Sequence, residues 1–437
     1  MEEQAKPPMS APVPSKVARS KIRVVAPSTA ASVTNARESP FKNLKKSGEN
    51  VLQFTLSPTH VSYANTLRRA VMTMVETVGF NADIQDSSGK TTDVEVMKNS
   101  TPMSNEMLAH RIGLLPIHVT TPLLWNPEEY TFEINVKNES NESVDITADD
   151  ITVKRLTGPD QEPSIVPSRQ FFHPHRLTGD TSLITVLKGR IGAQPAEELV
   201  CKMRAAVGTG RQNARYIPVS QCSYKYTVDP DEAKRKEVFT NWLTSSKKVN
   251  TADLEANPTR KGELEREFAT MEAARCYLEK DGEPYSFDFT IESVGVLSPE
   301  AILARALVVL QARCMRYATI NVGDLPDNLR VVPADGALQG FDFLFTQEDH
   351  TLGNLFQTWI EQNAMVAADG AETDISFVGY KVPHPLRDEM LLRVGVERDG
   401  QQVTARAAVS RAAKGCADMF MSWRAALEPF VPAAAGP

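Results

Sequence analysis

The chain has 437 residues, 41% hydrophobic and 24% charged, a soluble globular composition too long for one small core and suited to two or three domains. Its net charge of -7 argues against holding duplex DNA by bulk electrostatics. No apolar run is long enough to span a bilayer and the first residues lack the apolar core of a secretory signal, while the five cysteines are scattered with no CxxC spacing, which points to reduced thiols rather than a disulfide framework or a cysteine zinc site.

Residues 1–45, rich in Pro, Ala, Ser, Lys and Arg, read as a disordered, mildly basic leader. Alternation over Asn50–Leu56 predicts a strand, which Ser57-Pro58-Thr59 turns into a helix. That helix is the stretch Val61–Val78, where Val61, Ala64, Leu67, Ala70, Val71, Met74, Val75 and Val78 form one apolar face. Arg68 and Arg69 flank the face, and Asn65 lies in the first turn, where a short polar side chain can bond free backbone groups. Strands over Phe80–Ile84 and Thr92–Met97 follow, around a turn at Asp86-Ser87-Ser88-Gly89. Gly89-Lys90-Thr91 has the tail of a phosphate-binding loop, but Ile84 stands where that loop needs its leading glycine, so nucleotide binding is rejected. Ser104 is placed to cap a short helix, and Gly113 suits its end, where a positive φ is often needed. Leu114-Leu115-Pro116-Ile117 then leaves as an extended segment.

From Tyr130 to about Val228 the pattern is mainly β. His173-Pro174-His175 offers two metal ligands without a third, His110 beside Arg111 has no acid or nucleophile placed with it, and Gly208-Thr209-Gly210 lacks the third glycine of a dinucleotide fingerprint. Neither a metal site nor a catalytic residue is assigned. Asp231–Lys280 is highly charged and helical in tone, the composition of a solvated helix face. Tyr285–Glu292 alternates as a strand, and Ser298-Pro299-Glu300 starts a helix striped by Ile302, Leu303, Ala306, Leu307, Leu310 and Cys314. Residues 321–339 read as a linker. Beyond them come a strand at Gly340–Thr346 and a helix capped at Asp349-His350-Thr351 with the stripe Leu352, Leu355, Phe356, Trp359 and Ile360. A hairpin over Ile375–Pro385 and Glu389–Val396, with Pro383 and Pro385 at an edge or turn, precedes a last helix at roughly Thr404–Leu427 and a tail, 429–437.

The order of elements therefore repeats. The predicted fold is α+β, with two related units in one chain paired through their helices. The first unit is 46–84 with 283–320, the second is 340–428, and a β-rich domain, 85–282, is inserted in the first.

The residues also carry a resemblance. Val61–Met74, HRIGLLPI at His110–Ile117 and FTIESVGVLSPEAI at Phe289–Ile302 resemble the α-like third-largest subunit of eukaryotic RNA polymerase II, with the archaeal D subunit and, more distantly, bacterial polymerase α. ARYIPV at Ala214–Val219 is similar to part of that subunit's inserted domain. EDHTLGNLFQTWI at Glu348–Ile360 and VGYKVPHPL at Val378–Leu386 resemble its small partner, the eleventh subunit or archaeal L. The whole resembles a single-chain fusion of the two, as in some large nucleocytoplasmic DNA viruses, which implies host cytoplasm and virion, with the nucleus as the alternative.

The resemblance implies two α-subunit-type dimerisation units and a non-catalytic platform. On it the second-largest and then the largest polymerase subunit assemble, with small subunits of the tenth and twelfth type, DNA reached only through the holoenzyme and no membrane. It assigns Asn65, Leu67, Arg68, Arg69, His110, Arg111, Gly113, Leu114, Leu115 and Pro116 to pairing and large-subunit contact in the first half. In the second half it assigns His350, Thr351, Leu352, Gly353, Asn354, Leu355, Tyr380, Lys381, Pro383, His384 and Pro385. No cofactor is expected in this chain. Magnesium and zinc belong to other subunits, and the cysteine cluster that many relatives carry in the inserted domain is missing from this sequence. No segment after Leu427 is long enough for the bacterial C-terminal DNA-binding domain. Tethering the two units makes their pairing intramolecular, so a monomeric chain is expected. Two other classes stand against this one: a free-standing DNA-binding regulator, disfavoured by the acidic charge, and an enzyme using His110 or His173 and His175.

Overall fold

The computed structural model describes residues 39–83, 93–156, 162–249, 254, 257–335, 338–365, 374–396 and 400–430. It opens with a hairpin of β1 (Phe41–Ser47) and β2 (Val51–Leu56), helix α1 (Val61–Thr73) and strand β3 (Glu76–Gly79). Then come β4 (Val94–Asn99), α2 (Asn105–Gly113), β5 (Tyr130–Asn138), β6 (Val144–Thr147), β7 (Ile151–Arg155) and β8 (Ser164–Val166). The β-rich stretch continues with β9 (Leu183–Leu187), β10 (Glu197–Met203), β11 (Ala206–Thr209) and β12 (Val219–Tyr226). Helices α3 (Glu232–Trp242) and α4 (Pro258–Arg275) lead to the short hairpin β13 (Glu279–Lys280) and β14 (Glu283–Pro284), then β15 (Phe287–Ser293) and α5 (Pro299–Met315). The chain closes with β16 (Leu329–Pro333), β17 (Gly340–Thr346), α6 (His350–Asn363), β18 (Ile375–Lys381), β19 (Glu389–Val396) and α7 (Gln402–Leu427).

Three sheets organise this α+β chain. The first is antiparallel β1-β2-β15-β12, the second is β16-β17-β19-β18, and the strands of a five-stranded sheet, β4-β10-β5-β7-β8, fall in sequence between β2 and β12 of the first. Strand alternation aims the apolar side chains of β2 (Leu52, Phe54, Leu56) and β15 (Phe287, Phe289, Ile291) inward, and those of β17 (Phe343, Phe345) and β19 (Met390, Leu392, Val394) do the same in the second sheet. Helices α1, α5, α6 and α7 fill the space these faces leave, and one buried core runs through both four-stranded sheets and all four helices. The five-stranded sheet packs its own core around Phe132, Ile134, Ile112 and Phe172. Helices α3 and α4 carry a third, small one at Trp242, Leu243, Leu254, Leu264 and Phe268, and their outer faces are charged as the composition predicts.

Several boundaries differ from the sequence reading. Phe41–Lys45, placed in the leader, belong to β1, because Phe41 packs edge-on against Phe54 at 5.3 Å and Trp423 at 6.2 Å. Residues 1–38 lie outside the described residues. The long apolar helix ends at Thr73, and Glu76–Gly79 pair with β11 as a strand. Val75 and Val78 are buried all the same, Val75 in the core of the four helices and Val78 in that of the five-stranded sheet. Phe80 begins an irregular segment rather than a strand, and the turn with Gly89-Lys90-Thr91 lies outside the described residues. Strand β12, assigned to the insertion, joins the first sheet beside β15, where Tyr224 and Tyr226 pack edge-on against Phe287. The span read as a linker contains β16, which pairs with β17 and buries Leu329.

Leu67 sits at the centre of α1 with no exposed surface. Leu67→Ala is expected to lower the unfolding free energy by about 2–5 kcal/mol, read from the denaturant midpoint at unchanged slope.

Candidate subunit interface

Helices α1 and α6 begin alike. Each is capped by the side chain just before it: His60 Nδ1 accepts from the Ser62 N–H at 3.2 Å, and Asp349 Oδ1 accepts from the Thr351 N–H at 2.9 Å. The helices then reach across to each other's first turn. Arg69, the ninth residue of α1, donates from Nε to Thr351 Oγ1 at 2.7 Å and from Nη2 to Asp349 Oδ2 at 3.2 Å. Thr358, the ninth of α6, returns the contact by donating to Ser62 Oγ at 2.8 Å. Tyr63 adds a bond from its hydroxyl to Gln362 Oε1 at 3.0 Å. The crossing thus has a local twofold character, with an arginine on one side and a threonine on the other.

Beside this crossing lies a buried ion pair. Arg313, near the end of α5, donates from Nε to Glu348 Oε2 at 2.6 Å, and its Nη2 reaches the same oxygen. Glu348 is only 3% exposed, and its other oxygen accepts from the Tyr317 hydroxyl at 3.0 Å. Asn328 donates in turn to that hydroxyl at 2.7 Å. Burial, and then Glu348, push the Tyr317 phenol up to about 12. Burial opposes ionisation of Asp349, but its bonds to Thr351 and the charges of Arg313 and Arg69 outweigh it, leaving the carboxyl below its ordinary value. The guanidinium of Arg313 meets the same opposition from burial, which Glu348 overcomes, so it is held charged.

The residues singled out in the sequence divide into two groups. In the first, Leu67, Thr351, Leu352, Gly353 and Leu355 are buried, and Asn65, Arg68, Arg69, Asn354 and Tyr380 are half-buried. Asn65 does not bond free backbone; its Oδ1 accepts from Arg68 Nε at 3.0 Å, the cap being taken by His60. Arg68 also reaches Met72 Sδ at 3.4 Å. Gly353 is required by close approach, since a Cβ there would lie 2.4 Å from the Tyr380 ring. That ring stands edge-on to His350 at 5.7 Å, and the Tyr380 N–H donates to Gln357 Oε1 at 3.1 Å. His350, Lys381, Pro383, His384 and Pro385 then face solvent, beside a Leu386 that is 90% exposed.

The second group is rooted in the other core. Ile112, Leu115 and Ile117 are buried, Pro116 is half-buried, and His110 and Arg111 are exposed, with Arg111 donating to the Leu183 carbonyl at 3.3 Å. Gly113 does not adopt a positive φ. It is needed because a Cβ would lie 2.8 Å from Arg215 Nη1 and 3.0 Å from Ala82 Cβ. Arg215, nearly buried, donates to the Phe80 carbonyl at 2.9 Å and to Asp83 at 2.6 Å. The adjoining Tyr216 ring covers Gly79 and Gly208, and its carbonyl accepts from Thr77 Oγ1 at 2.9 Å. Outside, Met103, Glu106, Met107, His110, Arg111 and Leu114 line an open depression in which Met107 is 63% and Leu114 57% exposed.

Sequence reasoning missed Glu348, Arg313 and Tyr317 as a unit, along with Arg305, which clamps Glu76 through two 2.8 Å bonds, and Arg211, which reaches Asp388 at 2.6 Å. The available signal was the adjacent acids Glu348-Asp349 ahead of a helix, only one of which a cap needs. His173 stacks on His118 at 3.7 Å. Among the described residues no group of three or more His, Cys, Asp or Glu side chains is placed to hold a metal ion. The arrangement offers packed faces and exposed apolar patches, the chemistry of protein contact.

Comparison with known proteins reaches both halves. Residues 53–314 and residues 341–425 each match the family described as the RNA polymerase Rpb3/Rpb11 dimerisation domain. The chain is 24% identical over 307 residues to DNA-directed RNA polymerases I and III subunit RPAC1 of Bos taurus, covering 62% of this chain and 81% of that protein. It is 23% identical over 312 residues to DNA-directed RNA polymerases IV and V subunit 3B of Arabidopsis thaliana, covering 63% and 89%. With DNA-directed RNA polymerase subunit Rpo3 of Pyrococcus furiosus it shares 24% identity over 290 residues, covering 62% and 92%.

Because the Asp349 carboxyl is held below its ordinary value of 3.8, the stability it contributes is full above that value and is lost as the pH falls through the lower folded value. Thermal melts from pH 7 to pH 3 are expected to show that acid loss, and Asp349→Asn, which can still cap the helix, should flatten it.

Proposed function

The chain belongs to the RNA polymerase Rpb3/Rpb11 dimerisation-domain family, and from that premise we propose that it is a non-catalytic assembly subunit of a multisubunit DNA-directed RNA polymerase. In this reading its two units pair within one chain and present a platform to the second-largest and then the largest subunit, with small subunits of the tenth and twelfth type alongside. Nucleotidyl transfer and its magnesium belong to the large subunits, zinc to other subunits, and DNA is met only through the holoenzyme. The observation that carries the reading is that both family matches lie in one chain, and that Arg69 and Arg313 of the first contact Asp349 and Glu348 of the second, just ahead of α6.

Two exposed patches suit the docking role: the depression around Met107 and Leu114, and the His384–Leu386 turn beside Tyr380. Each is apolar, rimmed by His, Arg or Lys, and rooted in rigid packing, as a preorganised contact needs. The fused arrangement supports a source among large nucleocytoplasmic DNA viruses, with work in the host cytoplasm and virion. Imaging of the tagged chain in infected cells tests that part, and a purely nuclear signal would contradict it.

Capture of the tagged chain from its native cell or infection is expected to bring down two large polymerase subunits in stoichiometric yield, with RNA synthesis in the eluate. Recovery of the chain alone or with unrelated partners would contradict the reading. Leu114→Glu and Leu386→Glu should each reduce that recovery more than about tenfold, the scale of a hot-spot residue. Both side chains are exposed, so the melting temperature of the isolated chain should stay close to that of the unaltered protein.

A further inference from the structure

The charges at the crossing of α1, α5 and α6 are one-sided. Both arginines, Arg69 and Arg313, come from the first unit, and both acids, Glu348 and Asp349, come from the second. We propose that this seam is a charge code for partner choice, which lets a first unit pair with a second unit and excludes pairing of like with like between copies of the chain. The inference rests on the reading that the two units pair, and adds which residues decide with whom.

The register of the two helices carries the argument. The caps His60 and Asp349 hold equivalent places, as do Ser62 and Thr351, and Arg69 and Thr358. Counting back one residue from each cap sets Thr59 equivalent to Glu348. If two first units paired, Arg69 would meet the His60–Ser62 turn and Arg313 would meet Thr59, whose buried hydroxyl already lacks a hydrogen-bond partner. Arg69 would have only the exposed carboxylate of Glu283, 3.9 Å from the His60 ring, and Arg313 would have no acid in place of Glu348, a cost that falls twice, once on each side of the twofold.

If two second units paired, Glu348 and Asp349 would meet Thr358 in place of Arg69. The buried face of α7 offers no cation in place of Arg313, being Ala405, Ala408, Val409, Ala412, Cys416 and similar residues. The buried Glu348 and the half-buried Asp349 would then have no cation. A buried ion pair adds little stability over an apolar pair of the same shape, but leaving one partner unpaired is heavily penalised. Such a pair therefore discriminates more than it stabilises. Discrimination matters in this chain because every copy carries both kinds of unit, so copies made together could otherwise also pair first unit with first and second with second.

The test uses the full chain with Arg313→Glu, with Glu348→Arg, and with both changes together, each refolded from denaturant and sized by light scattering. The unaltered chain and the doubly changed chain are expected to fold at one-chain mass, while each singly changed chain, mismatched within itself, loses hydrogen-exchange protection in α1 and α6. Refolding the two single variants together should give a species of two-chain mass, because each first unit then finds its charge match only on the other copy. A co-refolded mixture without that species, or a double variant that fails to fold, would overturn the code. A stable two-chain mass for the unaltered protein would instead overturn the reading of pairing within one chain.

Discussion

A buried cation must find its anion, and in this chain Arg313 finds Glu348 from a different part of the sequence. Removing either ion from water is costly unless the geometry is good and the remaining donors and acceptors are filled, and here Tyr317 and Asn328 complete the set. That requirement fixes where α6 can begin relative to the end of α5. With Arg69 anchored to the cap of the same helix, it also fixes the crossing of α1 over α6. The apolar stripes supply the bulk of the burial, but stripes alone allow sliding by a turn, whereas the ion pairs and the Thr358–Ser62 bond permit one register.

The rest of the chain is built onto this seam or attached to it through other joints. The two four-stranded sheets lie over the outer faces of the helices and extend one continuous core. The five-stranded sheet is attached through a second joint, where Tyr216 lies over Gly79 and Gly208 and Arg215 threads between Gly113 and the Phe80–Asp83 segment. Because α2 is wedged into that joint, the depression around Met107 and Leu114 is held in a set orientation. The α3–α4 hairpin leaves and returns between β12 and β15, neighbours that a short turn could have joined. Its charged faces and separate small core mark it as an appendage to the first sheet.

Much of this was legible in the sequence, and what was not has a common cause. Caps at Ser104, Ser298 and Asp349 announce themselves locally, because the hydroxyl or carboxylate acts within two or three residues. The stripes of α5 and α6 and the alternation of β15, β17 and β19 are likewise local, and those elements are where the pattern places them. The edge strands β1 and β16 escaped notice because their alternation is broken by lysines or proline, and only a partner strand reveals them. Gly113 and Gly353 looked like turn or helix residues, yet each answers to a side chain more than twenty residues away. The partners of Arg69 and Arg313 were invisible for the same reason, since sequence shows a charge but not what faces it.

With the arginine–acid seam holding their register, both units should behave as one cooperative core. Native-state hydrogen exchange of the isolated chain tests it most directly. The account predicts that amides of Leu67 and Ala70 in α1 and of Leu355 and Phe356 in α6 open through a single event, with one free energy and one denaturant dependence. Two separate openings, with α6 released at a lower free energy while α1 stays protected, would contradict it.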